Sequence, residues 1–196
     1  MEKLLVATNN KGKIEEISAL LKDLEAEIIT PQALNLQIKP AETGITYAEN
    51  ARIKARAFCR AAGIPVLADD TGLEVAALGG APGLHSKRFS PDPEATDADR
   101  RKLLRYKLKS KPQPWSARFI CTFALALPDG RIHFSEGTCE GIIIAEERGE
   151  GGFGYDRIFL FPELGKTMAE LTLNEKNFVS HRAAAVRSII PIIQSL

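Results

Sequence analysis

Residues 67–90, LADDTGLEVAALGGAPGLHSKRFS, constrain this chain more than any other stretch, because two adjacent carboxylates, Asp69 and Asp70, follow a short apolar run. Residues 64–68 read as a buried strand, so the acidic pair is expected at its carboxyl end, where open α/β sheets place their ligand sites. Two anions a few Å apart need a counter-charge. They raise one another's pKa or recruit a cation, and paired hard oxygens suit Mg²⁺ better than Zn²⁺. Turn chemistry offers a reading of equal weight, in which the strand ends in an Asp-Thr-Gly turn with solvated carboxylates.

Three other segments shift that balance. Residues 4–7 are a short apolar strand, residues 8–13 (TNNKGK) are polar and basic, and Ile14, Ile17, Leu20 and Leu21 recur at helical spacing. A helix amino end presents unsatisfied N–H groups and a partial positive charge, and Lys11 and Lys13 reinforce it. The loop of Thr8, Asn9, Asn10, Lys11, Gly12 and Lys13 therefore suits phosphate. It lacks GxxxxGK[ST] spacing, and in isolation a solvated strand-to-helix turn explains it as well.

In residues 42–63, Ala48, Ala51, Ala55, Phe58, Cys59 and Ala62 share one helical face, while Arg52, Arg56 and Arg60 form a polar stripe read as solvated surface. Asn50 and Lys54, four apart, occupy the other shoulder of the buried face and could look into a cleft, and Glu42 in the preceding loop could reach it. Without a phosphate nearby, Lys54 reads as an ordinary helix-edge lysine.

In residues 151–189, Gly151, Gly152 and Gly154 make a permissive loop around Phe153, followed by Tyr155 and Asp156. An aromatic there can stack on a base, although a loop aromatic more commonly plugs the core. Thr172 and Glu175 fit a capping box, and Ser180 fits the cap of the last helix. His181 and Arg182 then sit in a first turn, where cations oppose the helix dipole. A local rule broken without visible compensation marks a candidate functional site.

Together these residues resemble the inosine triphosphate pyrophosphatase family, over residues 4 to about 190. Its Ser/Thr-x-Asn-x-x-Lys pattern followed by Glu is met by Thr8, Asn10, Lys13 and Glu16. ETGxTxxENAxxKA is met from Glu42 through Asn50 to Lys54 and Ala55, ADDSGL appears as ADDTGL, and GGAPGxxSAR as GGAPGLHSKR. FGYD and SHR stand unchanged at residues 153–156 and 180–182. Asn9 replaces a common Gly, Thr71 a Ser, Lys87 an Ala, and Arg157 the usual Pro.

The resemblance implies an α/β fold with a long mixed central sheet, flanking helices and two lobes, an active-site cleft between the lobes, and a homodimer. It also implies Mg²⁺-dependent hydrolysis of ITP, dITP and XTP to the monophosphate and pyrophosphate. Asp70 would be metal ligand and water-orienting base, Glu42 a second metal ligand, and Lys13 and Lys54 would stabilise charge gathering on the phosphates. The resemblance gives Phe153, Gly154 and Tyr155 to the base, Asp156, Lys176, His181 and Arg182 to its edge, and Thr71 to the triphosphate.

Global properties agree. The 196 residues, 44% of them hydrophobic, are enough for one sizeable domain over residues 1–196, and no linker or repeat divides them. A net charge of +1 provides no general field for nucleic acid, and the basic run at residues 100–111 reads as a solvated helix face. Cys59, Cys121 and Cys139 are scattered, no apolar run is long enough for a signal peptide or a membrane span, and a cytoplasmic protein is expected. Residues 119–127 alternate, turn at LPDGR and resume as extended structure over 132–144, predicting a hairpin. His85 and His133 have no ligand-like partners in sequence.

Two rivals remain at this level. The related Maf pyrophosphatases carry a Ser-x-x-Arg-Arg loop that TNNKGK does not match, and a non-catalytic nucleotide sensor would have no use for both Glu42 and Asp70.

Overall fold

This computed structural model describes residues 2–196, in which strands and helices alternate as far as β3 and strands then predominate until two closing helices. In order they are β1 (Lys3–Val6), α1 (Lys11–Leu20), β2 (Glu27–Ile29), α2 (Tyr47–Ala62), β3 (Val66–Val75), β4 (Pro82–Gly83) and α3 (Asp97–Leu108). There follow β5 (Trp115–Ala126), β6 (Ile132–Ile143), β7 (Phe159–Phe161), β8 (Lys166–Thr167), α4 (Leu173–Val179) and α5 (His181–Gln194). The fold is mixed α/β. Its strands hydrogen-bond in the order β2-β1-β3-β5-β6-β7-β8, with β4 on β3. Among the described residues no helix is long and apolar enough to cross a membrane.

The chain divides into two compact units. The first comprises Met1–Asp70, Cys121–Gly137 and Ser180–Leu196. In it β1 lies parallel to both β2 and β3, with Leu5 opposite Ile29 and Val66. Parallel strands are covered on both faces, and successive side chains point to opposite sides. Accordingly Leu4, Val6 and Leu67 join a core with Ile17 of α1 and Val186, Ile189 and Ile193 of α5. Leu5, Val66 and Ala68 join a second core with Ala51, Ala55, Phe58 and Cys59 of α2. The predicted small-residue face of α2 is thus the buried one. A capping box of Thr46 and Glu49 starts that helix, and Gly63, left-handed at φ 68°, ends it.

The second unit comprises Thr71–Ile120 and Thr138–Val179. Its core gathers Leu73 and Val75 with Leu104 and Leu108 of α3, Trp115, Phe119, Ile143 and Phe159. The Phe159 ring lies 4.8 Å from Phe119 and meets Phe161 edge-on at 5.3 Å, both favourable aromatic arrangements. β7 pairs antiparallel with β6 and β8.

The hairpin expected from alternation is present as β5 and β6. Leu127 N–H donates to the Arg131 carbonyl (2.9 Å) and Gly130 N–H to the Leu127 carbonyl (3.0 Å) at the reversal. The acidic pair, expected where β3 ends, lies within that strand instead, and no Asp-Thr-Gly turn forms. Leu73 and Val75 are fully buried, β4 pairs across Leu73 and Glu74, and the Ser86 hydroxyl accepts the Leu73 N–H at 2.8 Å. Burial of these later residues overrides the local turn preference.

Candidate active site

In the first unit, β1 runs into the TNNKGK loop, and Asn10 caps α1 by accepting the Lys13 N–H at 3.2 Å. Asn10 N–H in turn donates to Thr8 Oγ1 at 3.2 Å, while Asn9 and Lys11 are exposed. This fixes the start of α1 and sends the Lys13 side chain to Asp69, Nζ to Oδ2 at 2.6 Å. Asp69 is buried in β3, and the Cys121 thiol approaches the same oxygen at 3.9 Å. Burial alone would raise the Asp69 pKa, but Lys13, Arg182 and Lys54 outweigh it and hold the carboxyl well below the usual range.

Asp70 has a different environment on the next residue. Its carboxylate accepts from Asn50 Nδ2 at 3.2 Å and from Lys54 Nζ at 3.4 Å. Asn50 is itself 1% exposed and held by the Gly44 N–H at 2.8 Å, so the ETGxTxxEN segment pre-positions it. Lys54 also pairs with Glu42 at 3.1 Å. Burial raises the Asp70 pKa, Glu42 adds to that effect, and Lys54, Lys13 and Asn50 oppose it without overcoming it. Burial would depress Lys54, but Asp69, Asp70 and Glu42 together keep its ammonium charged and its pKa raised. The pKa values of the two neighbouring carboxylates are therefore displaced in opposite directions, Asp69 downward by its cations and Asp70 upward by burial and Glu42.

The donor set fits a hard divalent cation. Glu42 and Asp70 both offer carboxylate oxygens to Lys54 Nζ, whereas Asp69 is committed to Lys13. Among the described residues no group of three or more His, Cys, Asp or Glu side chains is arranged to hold a metal ion. Two carboxylates with waters and phosphate oxygens completing the shell is an arrangement Mg²⁺ commonly accepts.

Ser180 caps α5 as expected, accepting the Ala183 N–H at 3.2 Å. The two cationic residues that follow it were expected to lack local compensation, and the structure corrects this for Arg182. Its guanidinium is 1% exposed and forms a buried ion pair with Glu16 of α1, whose carboxylate neutralises the charge at the helix start. Burial would lower the Arg182 pKa, yet Glu16, Cys121 and Asp69 hold it raised. His181 is buried beside it, 3% exposed.

In the second unit the FGYD loop closes on its own aspartate. Asp156 Oδ2 accepts the Phe153 N–H at 2.9 Å and the Lys176 ammonium at 2.6 Å. Lys176 Nζ also lies 5.0 Å from the Phe153 ring centroid, a cation–π contact. Gly152 is required here. It is left-handed at φ 69°, and a Cβ would run into the Asp156 carboxylate. Tyr155 plugs the core, 4% exposed, and its hydroxyl donates to the Ser86 carbonyl at 2.9 Å. Of the two aromatics, Phe153 is the one left half-buried. Arg157, in place of the usual Pro, donates to the Glu150 carbonyl at 3.2 Å and so ties the start of the glycine loop. Thr71 is half-buried in β3 beside Asp70.

The basic run of α3 is not wholly a solvated face. Arg100 and Arg101 are 6% and 7% exposed, and Arg101 reaches the Gly154 carbonyl and Glu147. Nothing in a lysine- and arginine-rich helix marks which cations turn inward; the one available signal was Leu104 and Leu108 on the same side of the helix.

The geometry has close relatives. The model of the Ham1 family matches residues 4–192. A dITP/XTP pyrophosphatase of Desulforamulus reducens is 46% identical over 99% of this chain and 96% of its own length. One from Thermus thermophilus is 44% identical over 96% of this chain and 90% of its own. The structure of a HAM1 protein from Coxiella burnetii superposes with a TM-score of 0.90, at 38% identity and full coverage of both chains. The family model, the whole-chain identity and the structural superposition converge, and the chain belongs to the Ham1 family.

Proposed function

We propose that the protein, acting as one catalytic domain over residues 1–196, hydrolyses deaminated purine nucleoside triphosphates, dITP, ITP and XTP, to the monophosphate and pyrophosphate. The observation that carries this reading is the opposed pair in β3, with Asp69 locked to Lys13 and Asp70 held by Asn50 and Lys54 with its pKa raised. The relatives from Desulforamulus reducens and Thermus thermophilus are named as dITP/XTP pyrophosphatases, which supports the substrate class.

In this reading Asp70 orients a water and takes its proton as the water oxygen bonds to the α-phosphorus and the bond to the bridging oxygen breaks, releasing pyrophosphate. Lys13 and Lys54 are the cations for the triphosphate, with the α1 amino end and the Thr8–Gly12 loop beside them, and Thr71 supports it. Glu42 and Asp70 would hold Mg²⁺, which when bound supplies charge neutralisation on the phosphate oxygens.

Base choice rests chiefly on the FGYD loop and Lys176. The Phe153 ring stacks on the purine, with Gly154 letting the backbone approach, and Lys176 offers N–H donors that a 6-oxo group accepts and a 6-amino group does not. Asp156 keeps Lys176 aligned, while Tyr155 supports the loop from the core. His181 and Arg182 are assigned to the base edge as well, with the Arg182 guanidinium held by Glu16 and its charge also acting on Asp69. The reading extends to a homodimer in the cytoplasm. Three cysteines that all remain thiols are compatible with a reducing compartment.

The test is a screen of common and deaminated triphosphates for pyrophosphate release, with and without Mg²⁺. Expected is turnover of dITP, ITP and XTP roughly 10²-fold or more above ATP, since sites built on a buried hydrogen bond reject the wrong group strongly. No pyrophosphate from any of them, or equal rates with ATP, would overturn the reading.

A further inference from the structure

The two peptide groups flanking Gly154 are both held by side chains of α3. Asp97, the first residue of that helix, accepts the Gly154 N–H at 2.8 Å. Arg101, one turn on, donates from Nη1 to the Gly154 carbonyl at 2.8 Å. Neither anchor is casual. Asp97 is also ion-paired with the buried Arg100, and Arg101 is fixed from its other side by Glu147 at 2.9 Å. Glu147 in turn receives Arg105 at 3.3 Å, and Arg105 donates to the Ala145 carbonyl at 2.9 Å. The helix that bears them is itself secured by a Thr96–Asp99 capping box and by Leu104 and Leu108 in the core.

The loop needs such support. Gly152 and Gly154 are both left-handed, at φ 69° and 60°, and residues 150–155 belong to no helix or strand. A glycine-rich segment loses much conformational freedom on being ordered. Free of its anchors it would populate the receptive shape only part of the time, and apparent affinity falls by that fraction.

We propose that Asp97 and Arg101 are positioning residues for substrate selection, holding the Gly154 backbone so that the Phe153 ring and the Asp156–Lys176 pair are preset for the purine. The proposal rests on the functional reading above and deepens it. Asp97 and Arg101 touch the loop, not the reacting atoms, so their removal should weaken binding and spare chemistry.

The experiment compares Asp97→Ala, Arg101→Met and the conservative Asp97→Asn, which keeps an acceptor for the Gly154 N–H. Two readouts are taken: KM and kcat for ITP, and hydrogen exchange of amides 152–156 in the nucleotide-free protein. Asp97→Ala and Arg101→Met should each raise KM about tenfold with kcat within about threefold, and raise loop exchange about tenfold, while Asp97→Asn stays near wild type. A loss of kcat or of thermal midpoint with KM and loop exchange unchanged would overturn the proposal, because that is what a merely structural role produces. Should Arg101→Met fail to fold, Asp97→Ala decides alone, its side chain being partly exposed at the helix start. Wild-type protein that releases no pyrophosphate sinks the functional reading. The exchange measurement separately decides whether these side chains pin the loop.

Discussion

The acid and lysine cluster of the first unit and the FGYD loop of the second both bring charged side chains into poorly solvated surroundings, but they hold them by different means. In the first, each charge stands on a regular element or beside one, and each is met by an opposite charge: Lys13 on α1 with Asp69 on β3, Lys54 on α2 with Asp70 and Glu42, Arg182 on α5 with Glu16 on α1. In the second, a loop without ladder hydrogen bonds is held by side chains gripping its backbone, from Asp156 within it and from Asp97 and Arg101 outside. Phosphoryl chemistry rewards the first arrangement, since charges on rigid elements need not reorganise as the transition state forms. A surface that must fit one purine and refuse another can be built from a pinned loop, where shape and one donor decide the outcome.

This contrast breaks most sharply at Asp70. Replacing it with Asn should lower kcat for ITP by at least roughly 10²-fold in a protein that still folds, with KM little changed. A fall confined to KM would place Asp70 with the binding residues and dissolve the distinction. Next, Lys13→Ala should depress kcat/KM for ITP and XTP alike, by roughly tenfold or more, while their ratio moves by less than about tenfold, or 1.4 kcal/mol. A larger change in ratio would mean that Lys13 takes part in base choice.

Lys176→Met probes the other side. It keeps much of the apolar stem over Phe153 but removes the donor, and the ITP-to-ATP preference should fall by about tenfold, the scale of one lost hydrogen bond to a charged group. An unchanged preference in side-by-side pyrophosphate assays would leave Lys176 as no more than the partner of Asp156.

The smallest expected effect is on stability, measured by thermal or denaturant midpoint at neutral pH with a chelator present. Asp69 has a depressed folded-state pKa, so it contributes stability above its unfolded value, which is lost as pH falls through the folded one. Asp70 has a raised folded-state pKa, so its favourable contribution is present below the unfolded value and lost as pH rises through the folded one. Asp69→Asn should therefore destabilise, by about 1–3 kcal/mol, and Asp70→Asn should be neutral or stabilising. Two changes of the same sign would show that the neighbouring carboxylates do not occupy opposed environments.

Much of the first unit was legible because its cues are short-range. The α2 pattern of small residues marked the buried face, and Asn50 and Lys54 fell on its shoulder by spacing alone. Ser180 in that unit and the Thr172–Glu175 box in the second are local caps, and they form as read. The continuation of β3 through Asp69 and Asp70 was not legible, since Asp-Thr-Gly has the local chemistry of a turn and only Leu73, Val75 and the pairing of β4 decide otherwise. Nor could Arg101 be told from its solvated neighbours, because the group it serves, the Gly154 carbonyl, lies 53 residues away.

By itself, then, the sequence determined the α/β class, the apolar strands at residues 4–7 and 64–68, the buried face of α2, the LPDGR reversal, the helix caps, and the residue types gathered at Asp69, Asp70, Lys13, Lys54 and the FGYD loop. These follow from periodicity and from side chains acting on their own backbone within a few residues. Tertiary structure alone decided which carboxylate received which cation. Glu16 meets Arg182 across 166 residues, and Lys13 meets Asp69 across 56. The energy of a buried charge depends on what surrounds it after folding, so identical neighbours in the chain, Asp69 and Asp70, acquire opposite proton affinities only when packing assigns one a committed counter-ion and leaves the other shared.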